Sequence, residues 1–328
     1  MTRVARVTGL DRAGVEVACA VRPGGHVLQI ANGKGESWEQ ARASALSEAA
    51  ELWAAERPPA GLVWGSQGEL SERQTALPED RVAPRLWSAD TRLAWAPALA
   101  LSGTEVLVPA QAVYCPPQGS APLGPAVFRW STNGMGAHPR RELAVRHALL
   151  EALERDQLAR ALPHGWTERA IATRKLDVSG LALWRQLREA RLQAHVFDLS
   201  GALPVAGAVL VDLDGGPVPL TAGYACGLTA LEAVRGALLE AAQSRLTDVH
   251  GAREDVEPRA EAETRGMAEA CARARPVRQL REMPAVREGR LLAHFRMLSP
   301  GAAVVELARE PLHVVKIIAP GLRVSGLL

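Results

Sequence analysis

Small apolar residues recur three and four positions apart in three separate stretches, the period of one helix face. Residues 37–57 read SWEQARASALSEAAELWAAER, residues 140–160 read RRELAVRHALLEALERDQLAR, and residues 229–249 read TALEAVRGALLEAAQSRLTDV. Around them stand runs rich in valine and bounded by Gly, Pro or Asp: VEVACAV, LAWAPALAL, TEVLVPAQAVY, LQAHVFDLS, PVAGAVLVDL, AVVELA and LHVVKIIAPGL. Such runs predict strands. No Gly/Ser-rich or polar linker interrupts the chain, so the pattern predicts one α+β domain over residues 1–328. Residues 251–290 carry dense charge and predict a mostly helical excursion on its surface.

The three helical stretches are copies of one another. Aligned on Ala41, Ala144 and Ala233, each gives A-x3-A-L-x-E-A-x-[EQ]. The shared glutamates are Glu48, Glu151 and Glu240, followed three residues on by Glu51, Glu154 and Gln243. The copies are unevenly spaced and set among different strands, which excludes a solenoid and points to similar helices converging on one place. Ser37 with Gln40 and Thr229 with Glu232 fit capping boxes, and Pro58-Pro59 stops the first helix. In the middle copy Pro139 supplies a start, but Arg140 and Leu143 hold the positions of the capping pair.

On a helix Glu151, Glu154 and Arg155 share one face. A solvated salt-bridge stripe is one reading of that pattern. The neighbouring alanines support another, because they let helices approach closely and bury carboxylates. A buried carboxylate cluster repels itself, and arginine or a divalent cation would resolve the repulsion. Arg155 and Arg245 favour an anionic ligand, with magnesium between its phosphates and the carboxylates.

Composition narrows the function classes. A net charge of +2 gives no electrostatic case for nucleic acid or anionic lipid, and two tyrosines with three phenylalanines leave little surface for stacking on bases. Cys19, Cys115, Cys226 and Cys271 are scattered without a CxxC pair, which argues against zinc. The amino terminus lacks an apolar signal region and no run approaches a membrane span, so a cytoplasmic protein is expected. Lysine stands only at positions 34, 175 and 316.

The order of motifs resembles the YcaO family over nearly the whole chain. The segments that carry the likeness are VTGLDRAGVEVACAVRP, then NGKGESWEQARASALSEAAELWAAE, STNGMGAHPRRELAVRHALLEALERD, LTAGYACGLTALEAVRGALLEAAQSRLTDVHGARED and VVKIIAPGL. The resemblance implies a single YcaO-type domain whose three related helices line a cleft for ATP and magnesium. It implies phosphorylation of a backbone amide oxygen on a ribosomally made precursor peptide, followed by azoline, thioamide or amidine formation. Carried over, Glu48, Glu51, Glu151 and Glu154 hold magnesium, and Arg155 and Arg245 meet phosphates. Ser44, Asn133, Gln243 and Lys34, the last in the glycine-lysine-glycine turn, are further nucleotide contacts; for Ser44 and Lys34, close packing and a solvated turn remain alternatives. His147 and His195 are read as structural. A leader-binding, TfuA-like or ThiF-like partner protein and a homodimer are expected.

Three departures stand out. Leu143 occupies a position where members carry a further glutamate, and Glu142, one residue earlier, would point about 100° away. His138-Pro139 replaces a glycine-asparagine, and Gly227 stands where histidine is frequent. The chain begins close to TGLD, where many members have an upstream phosphate-contacting segment. These departures keep a second reading open: a divergent homologue with weakened or lost ATP binding, acting as a peptide- or partner-binding subunit. The carboxyl terminus lacks a proline-rich tail, which tilts the expected chemistry from heterocyclisation toward thioamidation or another backbone modification.

Overall fold

The computed structural model describes residues 3–70, 74–162, 166–172, 182–251 and 261–324. In chain order the elements are β1 (Arg3–Arg6), β2 (Glu16–Val21), β3 (Ile30–Gly35), α1 (Trp38–Ala55), β4 (Val63–Gly65), β5 (Leu93–Ala100), β6 (Glu105–Pro109) and α2 (Ala110–Val113). Then come β7 (Met135–His138), α3 (Arg141–Ala161), α4 (Ala182–Glu189), β8 (Leu192–Asp198), β9 (Val205–Asp212), β10 (Leu220–Cys226) and α5 (Ala230–His250). The chain closes with α6 (Glu261–Arg273), α7 (Leu291–Leu298), β11 (Ala303–Ala308) and β12 (His313–Ile318).

The chain divides into two compact units. The first holds residues 1–23, 28–46 and 157–288; the second holds 24–27, 47–156 and 289–328. The units interleave along the chain and their boundaries fall inside α1 and α3, which is why no linker marks them. The first unit contains two antiparallel three-stranded sheets, β1-β2-β3 and β10-β9-β8. Its core joins Val17 and Cys19 of β2, Ala206, Ala208 and Leu210 of β9, and the apolar face of α5. The second contains a six-stranded antiparallel sheet ordered β4-β5-β11-β12-β7, with β6 also on β5. There Ala54 and Ala55 of α1 pack with Met135 and Ala137 of β7 and Val314 of β12.

The three related helices span their expected ranges to within two residues at each end. Their alanines have a structural cause. A Cβ built at Gly33 of β3 would overlap main-chain atoms of Ala41 and Ala45 in α1. The same holds for Gly136 of β7 against Ala144 and Ala148 in α3, and for Gly223 of β10 against Ala237 and Ala241 in α5. Each helix therefore lies on a glycine of the strand before it; the A-x3-A pair of the repeat is the helical half of that contact in α1 and α3, and in α5 the contact falls one turn later.

Both predicted caps form, each reaching one residue further back than expected. Ser37 Oγ accepts from the Gln40 N–H (3.3 Å) and Gln40 Oε1 from the Glu36 N–H (2.9 Å). Thr229 Oγ1 accepts from the Glu232 N–H and Glu232 Oε2 from the Leu228 N–H. At α3 His138 fills in, its Nδ1 accepting from the Arg140 N–H at 2.9 Å.

Four expectations change. Lys34 lies within strand β3, not in a turn. The run TEVLVPAQAVY is strand only to Pro109, after which Ala110–Val113 turn helical. Residues 252–260 lie outside the described residues, and the rest of the charged excursion is helical mainly over α6. His147 is exposed on α3, so it is no core group, whereas His195 is largely buried and burial lowers its pKa. Among the described residues no helix is long and apolar enough to cross a membrane.

Candidate functional site

In the second unit, α1 carries Glu48 and Glu51, and α3 carries Glu151 and Glu154. These helices place Glu51 against both Glu48 and Glu151. Burial, then Glu151, then Glu48 push the Glu51 carboxyl well above the ordinary carboxylate range. The Ala137 N–H of β7 and the Lys316 ammonium of β12 oppose that shift. Glu154 is buried, with the Arg155 Nε 3.8 Å from its Oε1. Leu143 is partly buried in the first turn of α3. Glu142, the carboxylate one position early, is exposed beside Arg140 at 3.7 Å, so it lies on the surface face anticipated from helix geometry.

The same unit holds groups the sequence did not single out. Lys316 is 3% exposed and donates from Nζ to the Ser131 carbonyl. Burial pushes its pKa down to about 8 against the pull of Glu151, Cys115 and Glu51. Asp156 is buried and accepts from the Arg323 N–H at 2.9 Å. Asn133, just before β7, has a buried Oδ1 without a hydrogen-bond partner.

The first unit holds the remaining candidates, of which Arg245 is buried and Lys34, Ser44 and Gln243 are partly buried. Arg245 is buried, with Nε 3.0 Å from Asp11 Oδ1 and NH2 2.9 Å from Asp212 Oδ2, while NH1 donates to the Val218 carbonyl. Arg12 reaches Asp212 and lies 3.3 Å from Asp214. Each guanidinium nitrogen of Arg245, the residue expected at phosphate, thus has a protein partner in this ion-pair network. Lys34 Nζ lies 3.1 Å from Glu240 Oε2. Gln243 Nε2 donates to the Asn32 carbonyl at 2.9 Å, and Asn32 Nδ2 donates to Thr247 Oγ1 at 3.0 Å. Lys34 and Gln243 thus seal a seam between β3 and α5, in which Asn32 Oδ1 is buried and open. Ser44 is partly buried on the α1 turn beside Ala45.

Gly227 also has a local reason. A Cβ there would strike Glu232 and Ala233 in the first turn of α5, so this backbone has no room for histidine.

The carboxylates of the second unit fit magnesium by chemistry: they are hard oxygen donors whose mutual repulsion a divalent cation relieves. Among the described residues no three Asp, Glu, His or Cys side chains close around a metal ion by themselves. Magnesium does not demand that, since it keeps waters and shares its coordination with phosphate oxygens.

A family model described as YcaO cyclodehydratase, ATP- and Mg2+-binding, matches residues 32–323. An uncharacterized protein of Methanothermobacter thermautotrophicus is 35% identical over 273 residues, covering 78% of this chain and 68% of that protein. An uncharacterized protein in the tfuA 3′ region of Rhizobium leguminosarum bv. trifolii is 28% identical, covering 79% and 65%. The chain thus spans about two thirds of these relatives' length. A solved structure of YcaO from Methanopyrus kandleri, bound with AMPPCP and Mg2+, superposes with a TM-score of 0.73 at 22% identity, covering 99% of this chain and 85% of that one.

Proposed function

The chain belongs to the YcaO family, whose cofactors are ATP and magnesium, and from that premise we propose that it activates a backbone amide of a ribosomally made precursor peptide. An amide oxygen is a poor leaving group, and phosphoryl transfer from magnesium-bound ATP converts it into a good one. Glu48, Glu51, Glu151 and Glu154 would hold the metal, Arg155 would meet phosphate with its planar fork, and Asn133 would offer its open Oδ1 to a polar group. An adjacent Cys, Ser or Thr of the peptide, or an external sulfide or amine, then displaces the phosphate. Ribosomal precursors are made in the cytoplasm, which is where this reaction belongs.

One observation carries the reading. Glu51 is held beside Glu48 and Glu151 although burial and like charge both oppose its ionisation. Such an arrangement costs stability in the free protein and is useful when a cation arrives. The tfuA neighbourhood of the Rhizobium relative supports a TfuA-like partner and, with it, thioamide over azoline formation. The alternative, a homologue that has lost ATP use, draws on Leu143 and the exposed Glu142, which leave the cluster one carboxylate short.

Calorimetric titration of ATP with magnesium into wild type and Glu151→Gln tests the proposal. Saturable heat is expected for wild type only. ATP turnover with precursor and partner should fall by about 100-fold or more in the variant, as expected when several kcal/mol of charge stabilisation is removed. Absence of heat from wild type at millimolar nucleotide overturns the enzymatic reading in favour of the alternative.

A further inference from the structure

Lys316 sits in the middle of β12 between Val315 and Ile317, in a chain that meets nearly every other need for positive charge with arginine. An ammonium at that depth is unfavourable unless the lost hydration is replaced. The Ser131 carbonyl accepts one of its hydrogen bonds. The Trp130 ring stands 5.3 Å from Nζ, a cation–π distance, and the indole is fixed by its own bond to the Val113 carbonyl at 3.0 Å. Glu151 and Glu51 lie within electrostatic reach. The sheet ties these groups together. Lys316 pairs with Met135 across β12 and β7, and two residues along β7 the Ala137 N–H holds the Glu51 carboxylate.

A ring and a carbonyl would satisfy an ammonium anywhere in the core. The distinctive fact is that this one stands near two carboxylates, Glu151 and Glu51, that repel one another. We propose that Lys316 is a built-in surrogate cation. It positions Glu51 and Glu151 while no divalent ion is bound and keeps the cluster's affinity for free metal low, so that magnesium enters together with the phosphates of the nucleotide. The inference rests on reading Glu51 and Glu151 as magnesium ligands.

The test uses the full chain without nucleotide, Mn2+ as a paramagnetic probe, and thermal melts with and without MnCl2. Lys316→Met should bind Mn2+ on the order of tenfold more tightly than wild type, a coupling of ordinary size. It should melt lower without metal and recover with it, and Lys316→Arg should behave as wild type. A lysine that served packing alone would lower the melt equally at every Mn2+ concentration and leave affinity unchanged, which overturns the inference. If Lys316→Met does not fold in metal-free buffer, folding restored by millimolar Mn2+ supports the proposal and failure to restore it overturns it. Glu151→Gln separates the two claims. Should it abolish Mn2+ binding while Lys316→Met matches wild type, only the lysine inference fails; should it leave binding intact, the metal reading fails first.

Discussion

Each unit buries a group of charged side chains, and the two groups are built on opposite principles. In the first, Arg245 and Arg12 face Asp11, Asp212 and Asp214, and the central groups are almost wholly withdrawn from solvent. In the second, Glu51 lies among Glu48, Glu151 and Lys316, and on α3 Glu154 adjoins Arg155. Burial alone would raise the Asp212 carboxyl, yet the Asp214 N–H, Arg12 and Arg245 hold it below the ordinary range. Burial raises Glu51, and its neighbours raise it further. The first cluster has its partners in the protein. In the second, like charges crowd Glu51, an arrangement that an added cation would relieve. Burial by itself therefore does not mark a site; the sign of the imbalance does.

Substitutions can break the contrast. Arg245→Ala should have the largest effect on stability, about 3–5 kcal/mol by chemical denaturation, because it takes the arginine from buried Asp11 and leaves Asp212 with Arg12 alone. Loss of ATP binding without loss of stability would restore its phosphate role. Gly136→Ala comes next, at about 1–3 kcal/mol, since the new methyl meets the main chain of α3. Urea melts should show that loss without any change in the protein's charge.

The smallest effect sharpens the contrast most. Near neutral pH and without metal, Asp212→Asn should destabilise, whereas Glu51→Gln should stabilise by about 1 kcal/mol. The signs follow from linkage. A depressed pKa contributes stability above the ordinary carboxylate range and loses it as pH falls through the folded value, so the Asp212→Asn deficit should shrink in acid. A raised pKa makes its contribution at low pH and loses it as pH rises, so the Glu51→Gln gain should grow from acid toward neutrality. Thermal melts across pH measure both, and equal signs would erase the distinction between the clusters.

The three helices, their caps and seven of the strands were legible because each rests on local pattern. β1, β3, β4, β7 and β10 were not; in β3 the glycine-lysine-glycine segment reads as a turn, while in the fold Gly33 admits a helix. The acidic pairs were legible as a repeat. The role of Arg245 was not, because its partners lie 234 and 33 residues away and a helical face does not say what it will meet. Lys316 did leave a trace, a lysine within VVKII in a chain that otherwise favours arginine. It went unused because strand pattern identifies a buried position without identifying what lies across from it.

The contacts at Gly33, Gly136 and Gly223 work as mechanical stops. Where strand and helix touch through main-chain atoms, no rotamer can change to absorb a shift, so each helix has one seating depth. The residues one and two turns along can then be exchanged while their points of attachment stay put. Gln243 already stands where its two counterparts are glutamates, on a helix that also rests on a strand glycine, one turn further along. Hard stops of this kind separate the upkeep of the scaffold from the choice of its functional groups, and open those positions to diversification by single substitutions.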